Sequence, residues 1–352
     1  MKALQLHGHR DIRIDDVPDP RPPDGWTVVE VLRSSICHSD LREWEGPTYI
    51  GRTGVPNPLT GVHLPVILGH EFVGTIVAIA GDAPGFAVGD RVAPDACVFD
   101  GTCWYCRHGR YNLCESIAVL GFDGHGSFAQ YMAVPNYSLN HVPDSVTDDD
   151  GALIEPLAVA VHGVRQGGVS VGDVVAVVGA GMIGLCAAQV AHASGASEVF
   201  VTEPMTSRRE RARAYGVTVI DPSSEDAAAV IRDRTGGRGA DVVIDCVGTQ
   251  GSLNAALSLA RKAGRISLVG IHSSDPTVDI ARIGIDEREL VGSLAYAYDF
   301  PRAIALVRDG RVRLDGLITK SIAMRDIVEE GFVEMESHPD DHIRIVVDTQ
   351  AV

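Results

Sequence analysis

Residues 173–204, DVVAVVGAGMIGLCAAQVAHASGASEVFVTEP, hold the pattern on which the fold turns. The run VVAVV is apolar at every position, so both faces of the strand it forms must be covered. Gly179, Gly181 and Gly184 follow in G-x-G-x-x-G spacing, with Met182 and Ile183 opening a helical stretch of small and apolar residues before a second apolar run, EVFVTE. Strand, glycine turn, helix and strand in that order predict a parallel, doubly wound sheet of the Rossmann type. In such a turn the first glycine permits the tight bend, the second lets pyrophosphate approach the backbone, and the third lets the helix pack on the strand. The phosphates rest at the helix N-terminus. Glu203 ends the second strand about 20 residues after the last glycine, where a carboxylate accepts hydrogen bonds from the adenosine ribose hydroxyls. That placement favours NAD over NADP; the plainer alternative is a solvated glutamate at a strand end. Arg208 and Arg209 lie just beyond, placed to stack on adenine or to hold a 2′-phosphate.

Similar apolar runs recur at GADVVIDCVG and GRISLVGI, extending the sheet. On the N-terminal side the texture differs: short β-branched runs such as TVVEVL and GTIVAIA alternate with Gly, Pro and Asp, as in a β-rich domain with many turns. After about residue 290 the βα alternation weakens, and HIRIVVD reads as a strand returning to the first domain. The expected α/β layout is therefore a β-rich domain from residues 1–155 and 291–352, enclosing a nucleotide-binding domain at 156–290. A chain of 352 residues suits two cores better than one.

The formal net charge of −17 argues against a nucleic-acid partner, because phosphate backbones are bound by basic faces that release counterions. No apolar run approaches the ~18 residues of a membrane span. The opening MKALQLHGHRDIRIDD alternates like a strand and lacks an export signal's apolar stretch, so a cytoplasmic location is expected. Seven cysteines are an odd number, and Cys97, Cys103, Cys106 and Cys114 crowd into 18 residues, a pattern that favours metal over disulfides.

Two groups carry metal chemistry. Cys37 in SSICHSD, His70 and Glu71 in LPVILGHEFVG, and Glu155 in GALIEPLAVAVHG supply a thiolate, an imidazole and carboxylates, a set suited to zinc with one open coordination position. Taken singly, each has an ordinary reading as a buried thiol, a packed histidine or a helix-start carboxylate. The second group is DGTCWYCRHGRYNLC, residues 100–114, with three cysteines in Cys-x2-Cys-x7-Cys spacing and Asp100 three residues ahead. It is either a four-ligand zinc site or an empty lobe. Cys186 and Cys246 read as small buried hydrophobes. Trp44 and Tyr49 either line a substrate cleft or pack beneath a loop.

GHEFVG, then GFAVGDRV, the cysteine array and G-x-G-x-x-G occur in the order found in zinc-containing medium-chain dehydrogenases, which the whole chain resembles. GPTYIGRTGVPNPLTGVHLPVILGHEF, EPLAVAVHGVR, GSLAYAYDF and LITKSIAMRDIVEEGF look most like the 2,3-butanediol (acetoin) dehydrogenase branch. The resemblance implies a GroES-like catalytic domain beside the Rossmann domain and a reversible, NAD-linked oxidation of a secondary alcohol or vicinal diol. It implies a catalytic zinc on Cys37, His70 and Glu155, with Glu71 an intermittent ligand or a neighbouring carboxylate. Ser39 matches the hydroxyl that passes the substrate proton outward. Arg42 stands where the branch often has a relay histidine, so the proton leaves by His38 or by the cofactor ribose and water. The family's structural zinc uses four cysteines; here Asp100 occupies the first position, with Cys97 an alternative three residues upstream. Homo-oligomers, dimers or tetramers joined at the edges of the nucleotide-binding sheets, are implied, with GRISLVGIHSSDPTVDI as the expected edge. Two other functions share these features: a polyol, sugar or L-threonine dehydrogenase, and a non-catalytic nucleotide-binding redox sensor.

Overall fold

The structure, a computed structural model, describes residues 1–46, 56–272 and 274–352. Tyr49 lies outside them. The chain divides into two compact units, Met1–Glu155 with Leu314–Val352, and Pro156–Arg313.

The first unit opens with β1 (Lys2–Gly8), paired antiparallel with β2 (Asp11–Asp16) and with β4 (Val66–Ile67). The ten-residue β3 (Trp26–Ser35) is the central strand, flanked by β5 (Glu71–Ile79), which continues to β6 (Arg91–Val92). A short ladder of β7 (Cys97–Val98) and β8 (Ala118–Val119) brackets the cysteine-rich lobe, and β9 (Tyr131–Pro135) also pairs with β3.

In the second unit, β10 (Val174–Val178), β11 (Glu198–Thr202), β12 (Thr218–Ile220), β13 (Ala240–Asp245), β14 (Ala260–Leu268) and β15 (Glu289–Gly292) form one sheet in the order β12-β11-β10-β13-β14-β15. Every pair is parallel. The strand order reverses between β11-β12 and β13-β15, so β10 and β13 flank a crevice at the carboxyl edge of the sheet. Two details differ from the sequence reading. GRISL lies in β14, an interior strand paired on both sides; the edge is β15, because a further strand, ELVG, adds beyond it. The unit also runs on to Arg313 instead of ending at 290. Residues after β15 are bound into it, with Gln189 Oε1 accepting from the Arg313 N–H at 2.9 Å and Asp299 bonded to His162.

The chain then returns to the first unit. There β16 (Ile318–Ala323) pairs parallel with β17 (Arg344–Asp348), which lies antiparallel to β3. The return completes a core of Leu4, Leu6, Ile36, Phe128, Phe332 and Ile345, while Val29, Val31, Phe72, Ile76 and Met132 form another. Trp44 belongs to the first core, edge-on to Phe332 at 5.8 Å, and so packs instead of lining a cleft. Among the described residues no helix is long and apolar enough to cross a membrane.

Candidate functional site

Strand β3 delivers Cys37 to the N-terminus of the helix His38–Glu45, where Asp40 turns back to accept the Cys37 backbone N–H at 2.9 Å. His70 and Glu71 enter at the start of β5 after Gly69, whose φ of +93° and whose close approach to Ser127 suit only glycine. Cys37 Sγ, a His70 ring nitrogen and a Glu71 carboxylate oxygen all lie within 4.8 Å of one another. His70 is buried: Nδ1 is 3.4 Å from Asp40 Oδ1, Nε2 is 3.4 Å from Ser39 Oγ, and the Phe122 ring packs at 4.8 Å. Asp40 Oδ1 and His70 Nδ1 have no well-aligned hydrogen bond. A carboxylate behind Nδ1, a hydroxyl near Nε2 and a thiol within 4.8 Å of the ring suit a zinc-bound imidazole.

Arg344 is the residue that sequence reasoning missed. Its guanidinium, 4% exposed, donates to Glu71 through Nη2 at 2.9 Å and Nε at 3.1 Å, and Nη2 lies 3.6 Å from Cys37 Sγ. Ser35 also donates to Glu71. Burial works against the charge on Arg344, but Glu71, Cys37 and Glu155 outweigh it and hold the guanidinium more firmly protonated than usual. Glu71 therefore spends both oxygens on partners behind the thiol. Glu155 is buried in the first turn of the helix Ile154–Gln166, close enough for its charge to act on Arg344 but outside the cluster of Cys37, His70 and Glu71. His38 and Arg42 are exposed.

In the lobe, Asp100, Cys103, Cys106 and Cys114 offer four donor atoms within 4.8 Å of one another. Cys103 Sγ lies 3.5 Å from Cys106 Sγ, and Cys114 Sγ lies 3.3 Å from Asp100 Oδ2. A tetrahedron with zinc–donor bonds of about 2.0–2.3 Å has edges of about 3.3–3.8 Å, so this set fits zinc. The other Asp100 oxygen accepts from the backbone N–H groups of Cys103 and Thr102 at 2.8 and 2.6 Å, which fixes the carboxylate and holds its pKa below the usual carboxylate range. Burial, then the neighbouring thiols, push Cys106 up to about 12. Cys97, on β7, is not part of the cluster. Cys186 is fully buried in the helix Met182–Ala193, as expected of an inert thiol, whereas Cys246 is half-buried just after β13, its thiol raised chiefly by burial.

The glycine turn gives each glycine its task. Gly179 has φ +94°, and a Cβ on Gly184 would stand 2.0 Å from the Gly179 oxygen, so the third glycine sets helix-to-strand packing. Gly181 caps the helix Met182–Ala193 and faces open space, the room a pyrophosphate needs. Glu203 is buried: Oε2 accepts from Ala180 N–H at 2.8 Å and Oε1 from Met205 N–H at 3.0 Å. It is thus no solvated strand end; it ties the second strand to the turn, and a carboxylate's further lone pairs leave acceptor capacity for a ribose hydroxyl. Arg209 is committed to Asp221 at 2.9 Å and to the Glu203 carbonyl, whereas Arg208 is half-buried beside it.

Residues 23–144 match the alcohol dehydrogenase GroES-like domain and residues 183–309 match the zinc-binding dehydrogenase domain. The chain is 35% identical over 334 residues to (R,R)-butanediol dehydrogenase of Bacillus subtilis, covering 94% of this chain and 95% of that one. It is 33% identical to sorbitol dehydrogenase of the same organism, covering 92% and 90%. The crystal structure of 2R,3R-butanediol dehydrogenase from Bacillus subtilis superposes with a TM-score of 0.91 at 34% identity, covering 99% of both chains. The chain belongs to the zinc-type medium-chain alcohol dehydrogenases, near their butanediol dehydrogenase branch.

Proposed function

We propose that this enzyme oxidises a secondary alcohol or vicinal diol of the 2,3-butanediol kind to the ketone, reversibly, with NAD as hydride acceptor. The observation that carries the reading is the Cys37–His70 pair, backed by Asp40 on one side and by the Arg344–Glu71 ion pair on the other. Cys37 and His70 would hold the catalytic zinc, with Glu155, which the family resemblance implies as third ligand, drawn in from outside their cluster, and Asp100, Cys103, Cys106 and Cys114 would hold a structural one. Bound at the first site, zinc acidifies an alcohol and polarises a ketone as a Lewis acid.

The chain's own residues do the rest. Ser39, beside His70 Nε2, takes the alcohol proton and hands it toward exposed His38 or toward the cofactor ribose and water. Asp40 orients the His70 ring. Arg344 neutralises the carboxylate behind the thiol, so the site's negative charge stays with the metal donors. The first unit supplies the metal site, and the second binds NAD through Gly179, Gly181, Met182, Ile183, Gly184 and Glu203. Arg208 lies beside the adenosine ribose position, and the charge of Glu203 disfavours a 2′-phosphate. The edge strand β15 and the exposed Ile280 and Ile285 on the helix Ile280–Ile285 support a homo-oligomer joined there. A lobe of reduced thiols suits the cytoplasm.

A polyol substrate is the second reading, favoured by the likeness to sorbitol dehydrogenase. Elemental analysis for zinc, alongside NADH formation on 2,3-butanediol, simple secondary alcohols and polyols, tests both. The expected result is two zincs per subunit and the highest kcat/KM on the vicinal diol. A polyol preference moves the substrate to the second reading, and zinc-loaded protein without alcohol-dependent NADH formation overturns the enzyme.

A further inference from the structure

Asp299 is fully buried, and it stands at the N-terminus of the helix Phe300–Arg308 without capping it. Its carboxylate points elsewhere: Oδ2 accepts from His162 Nδ1 at 2.8 Å and from the Ala297 N–H at 3.0 Å, and Oδ1 accepts from Arg165. Burial opposes ionisation, but these donors outweigh it and hold the carboxyl below its usual range. His162 is itself buried, and its Nε2 accepts from Gln166 at 3.2 Å. The helix that carries His162 and Arg165 is fixed in turn on β14, where Ser267 Oγ donates to the Gly163 carbonyl at 2.8 Å. Asp299 is thus tied to the helix that packs on β14.

The segment it bolts down is unusual. Between the end of β15 and Asp299, Ala295 has φ +47° and Tyr298 φ +59°, left-handed conformations that side-chain-bearing residues rarely adopt. Such conformations persist only where the surroundings over-determine them, and they gather at ligand clamps. The segment leaves the carboxyl end of β15, on the same edge of the parallel sheet as the glycine turn after β10. In a doubly wound sheet the dinucleotide lies across that edge. Its adenosine half sits over the strands next to the acidic residue, here β10 to β12, and its other half over β13 to β15.

We propose that Asp299, His162 and Arg165 form a positioning latch, holding residues 293–298 in the strained shape that receives the nicotinamide half of the cofactor. None of the three is a catalytic residue. The inference rests on the NAD reading above.

The test compares NAD with ADP-ribose, which keeps the adenosine and pyrophosphate but lacks the nicotinamide. Calorimetric titration of the whole enzyme and of Asp299→Asn is expected to show the Kd for NAD raised about tenfold, the weight of one charge-assisted hydrogen bond, with ADP-ribose unchanged within about twofold. KM for NAD should rise more than kcat falls. His162→Gln, which keeps a donor, should fall between wild type and Asp299→Asn, and it carries the test if the Asp299 variant does not fold. Parallel weakening of both nucleotides, or no change in either, overturns the latch. A wild-type enzyme that binds neither nucleotide overturns the cofactor reading and the latch with it.

Discussion

Replacing Arg344 with Met removes the cation from a pair whose members are 4% and 1% exposed, leaving the Glu71 carboxylate buried with Ser35 as its remaining side-chain donor. Breaking one side of a buried pair costs about 3–5 kcal/mol, most of it the desolvation of the charge left behind. A unit of 150–250 residues shifts by about 2–4 °C per kcal/mol, so the first unit's thermal transition should fall by roughly 6–20 °C. The pairing logic also predicts the cure. Glu71→Leu with Arg344→Met removes both charges and fills the space with apolar groups, and it should recover most of the loss because a buried pair contributes little over packed hydrophobes. Differential scanning calorimetry of the zinc-loaded enzyme, wild type and both variants, reads this directly. A single variant that loses less than about 1 kcal/mol, as an exposed pair would, or a double variant no better than the single, would contradict a buried, mutually dependent pair.

Gly181→Ala and Gly184→Ala should separate two roles of the glycine turn. The first adds a methyl in open space and should keep the fold while weakening NAD; the second drives a methyl onto the Gly179 oxygen and should cost about 1–3 kcal/mol of stability as well. Asp100→Ala should lower zinc from two per subunit to one without abolishing turnover, whereas Asp100→Cys should keep two, as elemental analysis will tell. Because burial and the neighbouring thiols raise the Cys106 thiol, zinc must displace its proton, so a chelator competition should find lobe affinity falling as pH falls. The Asp299 carboxyl has a folded-state pKa below its unfolded value of about 3.9. Its contribution is complete above that value and lost as pH falls through the folded one, so the stability gap between wild type and Asp299→Asn should be constant at neutral pH and close below about pH 4.

Much of this was legible because the signals are local. VVAVV and three spaced glycines dictate a parallel strand, a turn and a helix within a dozen residues, and Cys-x2-Cys with Asp100 brings donors together over a single small loop. The contacts that periodicity does not encode are long-range. Arg344 reaches Cys37 across 307 positions, and nothing in IRIVVD marks one arginine as the buried partner of a glutamate near residue 70. The edge of the sheet went to β14 because its apolar run is strong, whereas β15 is only four residues, ELVG, half-exposed and of mixed polarity. Trp44 was divided between cleft and core by sequence; Phe332, which packs against it, comes from the far end of the chain. The boundary at 290 followed a loss of βα alternation, but the later helix is held in the nucleotide unit by Asp299 and Arg313, contacts that no periodicity encodes.

In the proposed function, Cys37 holds the metal that activates the alcohol. The most direct test is Cys37→Ser, with zinc content, NAD affinity and NADH formation on 2,3-butanediol measured on the same preparation. Loss of one zinc per subunit, near-normal NAD binding and turnover lowered by several kcal/mol of barrier, about a thousandfold or more, are expected. Turnover retained with a full zinc complement would contradict that role of Cys37.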